Sequence, residues 1–251
     1  MKSGRRLIRA HRKITYGLKA ATVYAEKVES KPEGSDFVLH VPNNAIEISL
    51  KMPGEFNVYN ALAASAVAIS LQIPVVQIQK GLSKTNNIAG RFESVDAGQP
   101  FSVIVDYAHA PEALESLLSL YRKLTKGRLF LVFGATGGGR DKSKRPKMGA
   151  IANEYADYII VTDDDPYEED EWEIIEQVSK GISRQIGKNF WQIPDRKEAI
   201  RLALMKAKEN DTVIVAGKGC EEVIMLRGKR VPWNDKKVIE EILLQKLEIE
   251  L

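Results

Sequence analysis

From residue 101 onward the chain alternates short apolar runs with longer helical patterns, and this alternation restricts the possible folds most strongly. The apolar runs lie at 101–105, 129–133, 158–161, 190–193 and 212–216; the helical patterns occupy 111–125, 145–155, 172–186, 197–208 and 236–247, with a hairpin turn at 227–229. Strands that alternate with helices of this length are typical of a parallel sheet covered on both faces. The sequence therefore predicts an α/β, Rossmann-like, doubly wound domain over residues 92–251.

Residues 1–91 follow a different pattern. A strand is predicted at 21–28, and alternating apolar residues at 37–41 and 45–52 flank the turn signal at 42–44, which indicates a β-hairpin. An alanine-rich helix at 56–71 follows, with Gly54 and Asn57 as start signals, and then a shorter helix at 74–84. We place a domain boundary near Arg91.

Composition excludes several classes of protein. The 251 residues are 44% hydrophobic, enough for a substantial core, and 37 basic residues nearly balance 34 acidic ones, so no nucleic-acid partner is indicated. The single cysteine, Cys220, excludes a disulfide framework and fits a reducing compartment such as the cytoplasm. No apolar run reaches the roughly 18 residues of a transmembrane helix, so we expect no membrane partner.

Polar and glycine-rich clusters follow all five strands predicted after residue 100. They comprise Asp106 with His109, Gly134–Arg145, Asp163–Tyr167, Asp195 with Arg196, and Gly217–Glu221. Because right-handed crossovers bring the carboxyl ends of parallel strands to one edge, and ligands bind at that edge, we expect these clusters to form a site.

The longest cluster has the form strand, glycine loop, helix. Gly137, Gly138 and Gly139 allow close approach of the backbone to a ligand, and Arg140 and Arg145 offer bidentate contacts to carboxylate or phosphate. The spacing is neither G-x-x-x-x-G-K-[ST] nor G-x-G-x-x-G, which disfavours a dinucleotide dehydrogenase. The loop is either an anion cradle or an ordinary turn with a solvated basic face.

Several polar residues that suit a nucleotide also have an ordinary structural interpretation. Asn57 and Asn60, three apart on one helix face, match the donors and acceptors of an adenine edge, or Asn57 is a helix N-cap. Arg91 binds a ribose or phosphate, or pairs with Glu93. His109 contacts a nucleotide, or is simply solvated.

The acidic residues allow a similar choice. Asp164 and Asp165 lie at a strand end and suit a substrate ammonium group, whereas Glu169 to Glu171 suit the N-terminus of the next helix. Glu221 follows the Gly217 turn and also suits an ammonium group. Cys220 lacks a histidine or cysteine partner and is interpreted as a passive thiol.

Seven stretches, in this order and at this spacing, resemble the Mur ligase family, in its UDP-N-acetylmuramoyl tripeptide synthetase branch. They are GEFNVYNALAA, GRFE, VDYAHAPEAL, VFGATGGGRDKSKRPKMGAIA, VTDDDPYEED, DRKEAI and VAGKGCE, and the resemblance covers roughly residues 14–247. It implies an ATP-dependent amide ligase of peptidoglycan precursor synthesis, which adds lysine or meso-diaminopimelate to UDP-N-acetylmuramoyl-L-alanyl-D-glutamate. It also implies that residues 1–91 are the end of a central ATPase domain.

The resemblance implies roles for individual residues. Those matching ATP-binding positions are Asn57, Asn60, Arg91, Asp106, Tyr107 and His109; those matching positions for the incoming amino acid are Arg140, Asp164, Asp165, Gly217 and Glu221. Lys142 and Arg145 match the same loop as Arg140. The catalytic residue is left unassigned, and no metal ligand is expected in this chain.

This chain departs from the family's pattern in three respects. A G-x-x-x-x-G-K-[ST] loop is missing, so the phosphate loop and the Mg²⁺ ligands are expected upstream of Met1, with a complementary N-terminal half as a candidate partner. The chain alone is expected to be inactive. Asp164-Asp165-Pro166-Tyr167 stands where diaminopimelate-adding members have Asp-Asn-Pro-Arg, which favours lysine. Cys220 replaces the usual histidine.

Two other functions stay open at this point. Without the phosphate loop, the chain could be a non-catalytic module that binds a nucleotide or an amino acid. A related ligase of the folylpolyglutamate type is the other alternative.

Overall fold

The computed structural model describes residues 13–31, 34–85 and 88–249. The chain divides into two compact units, Met1–Asn86 and Asn87–Leu251. The predicted boundary near Arg91 lies a few residues beyond this division. The assignment of 1–91 and 92–251 to two family domains stays a prediction.

The first unit is a four-stranded sheet with two helices. Its strands, in the order β1-β2-β3-β4, are β1 (Tyr16–Gly17), β2 (Val23–Lys31), β3 (Gly34–Val41) and β4 (Asn44–Leu50), and its helices are α1 (Glu55–Ser70) and α2 (Val75–Lys84). Every second side chain of β3 is buried, as expected for a strand with one face on the core. Leu39, Ile48 and Leu62 lie in that core. The predicted hairpin and both helices are confirmed.

The second unit is built on a six-stranded sheet. Its elements are β5 (Glu93–Ser94), β6 (Ser102–Asp106), α3 (Pro111–Leu124), β7 (Leu129–Phe133), α4 (Lys144–Tyr155), β8 (Tyr158–Val161), α5 (Glu171–Ser179), β9 (Phe190–Gln192), α6 (Arg196–Lys206), β10 (Thr212–Ala216), β11 (Val223–Leu226), β12 (Lys229–Pro232) and α7 (Asp235–Ile249). The strand order is β5-β6-β10-β7-β8-β9, and all pairs are parallel except the one with β5. The predicted parallel α/β fold is confirmed.

Both faces of this sheet are buried. In β7, Leu129, Leu131 and Phe133 belong to the cluster that includes the apolar sides of α3, α4 and α5, whereas Phe130 and Val132 belong to the cluster that includes those of α6 and α7. A strand buried on both faces is expected to be a continuous apolar run, and all five side chains of β7 are buried. No helix within the described residues is both long and apolar enough to cross a membrane.

The prediction that α5 extends to residue 186 is wrong, because the helix ends at Ser179. The cause is the close approach of α4 to the residues that follow. A Cβ atom on Gly181 would lie 2.0 Å from the carbonyl oxygen of Pro146, and one on Gly149 would lie 2.0 Å from that of Val178. The chain turns at Gly181, where a side chain would not fit. The two-residue strands β1 and β5 were not predicted.

Aspartate side chains cap two helices of the second unit. Asp170 accepts a hydrogen bond from the backbone N–H of Glu173 at the start of α5, and Asp195 accepts one from Glu198 at the start of α6. The expected capping role of the acidic run is therefore confirmed at Asp170. Glu169 instead pairs with Lys142 and Arg145, which leaves Asp163–Asp165 as the part of the run at the strand end.

Candidate functional site

A cavity of about 320 Å³ lies at the carboxyl ends of β6, β7, β8 and β10. Its lining comes from four separate loops: Tyr107, His109, Thr136, Arg140, Asp141, Lys144, Asp164, Asp165, Tyr167, Gly217 and Glu221. Seven of these are residues to which the sequence assigns a ligand, which the fold brings together from positions spread over more than a hundred residues. The volume is at the lower end of the range for small-molecule sites.

A chain of polar contacts connects three of the four loops. The Tyr107 hydroxyl donates to Oε1 of Glu221 at 2.9 Å, and the Lys218 ammonium group is paired with Oε2 of the same carboxylate. Lys218 Nζ also donates to Oδ2 of Asp165 at 2.7 Å, and the backbone N–H of Met225 donates to Oδ1 at 2.7 Å. The two carboxylates are thus held in place around one fully buried cation.

This cation changes the electrostatics of the cavity. Burial opposes the charged form of Lys218, but the hydrogen bonds that Lys218 donates to Asp165 and Glu221 outweigh burial and raise the pKa of the ammonium group. Acceptance by Glu221 likewise raises the pKa of Tyr107. Lys218 therefore offsets part of the negative charge that the sequence argument assigns to Asp165, and the contact of Asp165 with a substrate amine stays a prediction.

Asp164 is a buried carboxylate of the cavity lining with an unused oxygen. Its side chain is buried, and within the described residues Oδ2 has no hydrogen-bond partner. Burial raises the pKa of Asp164 to about 6, although the charges of Arg196 and Lys218 act in the opposite direction. Gly217 faces this oxygen, and a Cβ atom there would lie 2.3 Å from it. The carboxylate is therefore suited to an added hydrogen-bond donor.

Two cationic side chains, Arg140 and Lys144, also line the cavity and add positive charge to it. Arg140 is exposed, and within the described residues its guanidinium forms no ion pair. Lys144 is half-buried and donates from Nζ to the carbonyl oxygen of His109 at 2.8 Å. Burial lowers the pKa of Lys144, although Asp164 opposes the effect. A ligand that carries both a carboxylate and an ammonium group fits this arrangement of charges.

Arg145 does not line the cavity. Its fully buried guanidinium donates to Glu169 at 3.0 Å, to Gln177 at 2.7 Å and to the carbonyl oxygen of Thr136 at 3.1 Å. The bonds from Arg145 and then Lys142 lower the pKa of Glu169 to about 2. Arg145 therefore links the glycine loop to Gln177 of α5, and both basic residues pair with Glu169. The anion grip expected of Arg145 is not seen.

Asp106 joins two backbone segments beside the cavity. Its carboxylate accepts the N–H groups of Phe92 at 2.9 Å and Ala108 at 2.8 Å, and burial raises the pKa of the carboxyl group. The guanidinium of Arg91 lies 4.8 Å from the centre of the Tyr107 ring, in cation–π geometry. Arg91 is therefore held next to a cavity-lining aromatic side chain.

Glu93 and His109 lie close in sequence to Arg91 and Tyr107, and both have defined contacts. Glu93 pairs with Lys236 at 2.9 Å and accepts the N–H of Gly90 at 2.7 Å, so the alternative pairing of Arg91 with Glu93 is wrong. The exposed ring of His109 is fixed by a contact of 2.9 Å between Nδ1 and the carbonyl oxygen of Tyr107. The nucleotide roles of Arg91, Asp106, Tyr107 and His109 stay predictions.

Asn57 and Asn60 lie in α1, in the first unit. The N-cap of α1 is Gly54, at a φ of 97°, so the interpretation of Asn57 as an N-cap is wrong. The Asn57 side chain is buried; its amide donates to the carbonyl oxygen of Pro53 at 2.8 Å and accepts a 3.4 Å bond from the amide of Asn60. Their predicted adenine contact is not tested by these bonds.

No group of three or more His, Cys, Asp or Glu side chains within 13–31, 34–85 and 88–249 could hold a metal ion. For a nucleotide, the residues that fit are the exposed Arg91 and the half-buried Tyr107, which offer a charge and an aromatic face.

Sequence reasoning missed Lys218 and Lys144 as site residues. Lys218 was visible between two glycines, but its partner Asp165 is 53 positions earlier. Only the contact between the loops that follow β8 and β10, two strands separated by β7, reveals the pair. Lys144 was one of five charges in a loop that also contains the structural Arg145. The burial that separates their roles depends on tertiary packing.

Comparison with known proteins gives consistent results for both units. A model of the Mur ligase glutamate ligase domain matches residues 90–219, just over half of the chain, and a model of the Mur ligase middle domain matches residues 3–68. A solved structure of a UDP-N-acetylmuramoyl-L-alanyl-D-glutamate–2,6-diaminopimelate ligase is 29% identical, with a TM-score of 0.67, over 93% of this chain and 48% of that one.

Curated relatives of high similarity carry the same name. The UDP-N-acetylmuramoyl-L-alanyl-D-glutamate–2,6-diaminopimelate ligase of Caldanaerobacter subterraneus is 42% identical over 92% of this chain, and that of Syntrophomonas wolfei is 42% identical over 93%. The match covers 48% of each relative, so the chain spans about half the length of the curated relatives it matches. By the domain matches and the shared identity, the chain belongs to the Mur ligase family.

Proposed function

We propose that this chain is the amino-acid-binding part of an ATP-dependent ligase that adds a diamino acid to UDP-N-acetylmuramoyl-L-alanyl-D-glutamate. The observation that carries the proposal is the cavity at the carboxyl ends of β6, β7, β8 and β10, where seven residues assigned to ligands meet. Relatives that are 42% identical over most of this chain are named as ligases of 2,6-diaminopimelate and UDP-N-acetylmuramoyl-L-alanyl-D-glutamate.

The lining suggests how the incoming amino acid is held. Arg140 is a fitting partner for its α-carboxylate, because the guanidinium is exposed and forms a fork for two oxygens. Asp164 is a fitting partner for an ammonium group through its unused Oδ2, and Glu221 lines the same cavity. Holding the amine in a fixed position lowers the entropic cost of its reaction with an activated carboxylate.

ATP would supply the activation, by phosphorylation of the dipeptide carboxylate. Arg91, Tyr107 and His109 would hold the nucleotide beside the cavity, with Asp106 fixing the backbone on which they stand. The Mg²⁺ ligands and the phosphate loop belong to a part of the enzyme outside this sequence, which could be a complementary N-terminal half.

We expect lysine to be preferred over meso-diaminopimelate. Tyr167 lines the cavity where the diaminopimelate-adding pattern has an arginine, so a second carboxylate finds no added guanidinium there. Lysine carries a single carboxylate, which Arg140 alone can satisfy.

Calorimetric binding to this chain tests the proposal. We expect lysine to bind more tightly than meso-diaminopimelate, and glutamate to bind least. Arg140→Ala and Glu221→Ala should each weaken lysine binding by roughly tenfold or more, as expected for loss of a charge-assisted contact, while ATP affinity stays nearly unchanged. Arg201→Ala, on the outer side of α6, is the matched control and should change neither affinity.

An incorporation assay distinguishes the remaining alternatives. The chain is combined with a polypeptide that supplies the phosphate loop, and labelled amino acid is followed into the UDP-linked dipeptide. Transfer of glutamate onto folate, with no diamino acid incorporated, would identify a folylpolyglutamate-type ligase. Binding without any incorporation would identify a non-catalytic module, and loss of nucleotide binding in both variants would overturn the site assignment.

A further inference from the structure

Arg196, the first residue of α6, lies fully buried beneath the cavity. Its guanidinium forms a bidentate pair with Asp235 at the start of α7, at 2.8 Å for both Nε to Oδ1 and Nη2 to Oδ2. The Asp235 carboxylate also accepts the indole N–H of Trp233 at 2.8 Å. Both side chains are almost completely inaccessible to solvent, so the pair is a buried ion pair with its hydrogen bonds satisfied.

The remaining donors of Arg196 reach two neighbouring loops of the cavity. Nη1 donates to the carbonyl oxygen of Asp163, and Nη2 donates to that of Ala216, both at 3.0 Å. These carbonyls immediately precede Asp164 and Gly217, which face each other in the cavity. One guanidinium therefore fixes the backbone on both sides of that contact.

The positive charge of Arg196 also acts on the Asp164 carboxylate and favours its ionised form. Two further cations, Lys218 and Lys144, favour ionisation of the Asp164 carboxyl group, and three anions, Asp163, Asp165 and Asp235, oppose it. The other titratable or charged groups that line the cavity with Asp164 include Tyr107, His109, Arg140, Asp141 and Glu221. Burial raises the pKa of Asp164, and among the cations that lower it, Arg196 has a larger effect than Lys218.

We propose that Arg196 is a positioning residue of the cavity: it sets the spacing of the Asp164 and Gly217 loops, and it supplies the positive charge that offsets the buried Asp164 carboxylate. The carboxylate is then ready to accept an ammonium group. Only this last step rests on the function proposed above.

Carbon-13 NMR titration of the Asp164 carboxyl group in this chain tests the electrostatic part without any ligand. The signal is assigned by its loss in Asp164→Asn. Arg196→Met should raise the titration midpoint by about one pH unit or more, because burial is then less compensated. Arg196→Lys keeps the charge and should restore most of the wild-type midpoint.

Arg128→Met is the matched control. Arg128 forms a similar pair with Asp211, at 2.6 Å, but at the amino ends of β7 and β10, on the opposite edge of the sheet. The control should destabilise the unit while leaving the Asp164 midpoint within about 0.2 pH units. Equal midpoints in Arg196→Met and Arg128→Met would overturn the proposal.

A second variant, expected to shift the Asp164 titration midpoint in the opposite direction, keeps the proposal testable if Arg196→Met does not fold. Asp235→Asn removes an anion that acts on Asp164, so the midpoint should fall below that of the wild type. An unchanged or raised midpoint contradicts the proposal. If wild-type protein binds no amino acid, the proposed function fails, but these midpoints still decide whether Arg196 sets the charge of Asp164.

Discussion

Asp163 is an acidic residue whose ionisation should oppose folding. Burial raises its pKa to about 7, with the charge of Glu171 adding to the effect and Arg196 opposing it. Between about pH 4 and pH 7 the native state therefore binds more protons at this carboxyl group than the unfolded chain does. By linkage, this group makes the free energy of unfolding fall as the pH rises through that range.

The change Asp163→Asn should remove this dependence. Relative to wild type, the variant should gain up to about 4 kcal/mol of stability between pH 4 and pH 8, since burial raises the pKa of Asp163 to about 7 and each pKa unit corresponds to about 1.4 kcal/mol. Urea unfolding at a series of pH values measures the difference. Glu112→Gln, an exposed site on α3, should give a curve parallel to wild type; a parallel curve for Asp163→Asn would show that the carboxyl group is not protonated in the native state.

Gly217 is a position where backbone and contact both require glycine. Its φ is 113°, and an added Cβ atom would meet the Asp164 carboxylate. Gly187 has a similar φ of 90° but open space around it, so Gly187→Ala isolates the backbone strain. We expect Gly187→Ala to cost about 1 kcal/mol and Gly217→Ala to cost clearly more, measured by chemical unfolding. Equal losses would mean that Asp164 moves aside freely.

At the level of helices, glycine has opposite effects at two positions. Gly149 within α4 contacts the backbone of α5, whereas Gly81 in α2 has no atom near its missing side chain. Gly81→Ala should stabilise its helix by about 0.5–1 kcal/mol, and Gly149→Ala should destabilise its unit because the helices must separate. Thermal unfolding of the two variants checks the signs, and stabilisation by Gly149→Ala would contradict the packing described here.

Helices and strands were predictable where the pattern is local. The runs at 129–133, 158–161 and 212–216 match β7, β8 and β10 at both ends because a doubly buried strand is apolar throughout. The end of α5 was not predictable in this way, because the approach of Gly149 and Gly181 depends on tertiary packing. The insertion of β10 between β6 and β7 is likewise not visible in the pattern.

The site was predictable in its membership but not in its internal contacts. The rule that ligands bind at the carboxyl ends of strands located the clusters, and the family resemblance selected seven residues of the cavity lining. Neither could show that Asp165 is paired with Lys218, or that Arg145 does not line the cavity, because those contacts join loops distant in sequence.

For the whole molecule, each unit has a core of its own. Leu62 lies in the core of the first unit and Leu131 in that of the second, and both side chains are fully buried. Leu62→Ala should therefore lower the protection of amides in 13–85 by about 2–4 kcal/mol, with little change in 88–249, and Leu131→Ala should give the reverse pattern. Native-state hydrogen exchange measures both, and equal loss of protection in the two units would indicate a single cooperative core.

The central place of β10 has a consequence for the order of folding. This strand bonds to β6 on one side and to β7 on the other, although it is the last parallel strand in the sequence. While the chain emerges from a ribosome, β6 and β7 either pair with each other in a non-native way or stay unpaired. Native pairing requires β10, which is complete only when residue 216 has been synthesised. The second unit should therefore fold late in synthesis, and the cavity should form in the same step that completes the sheet.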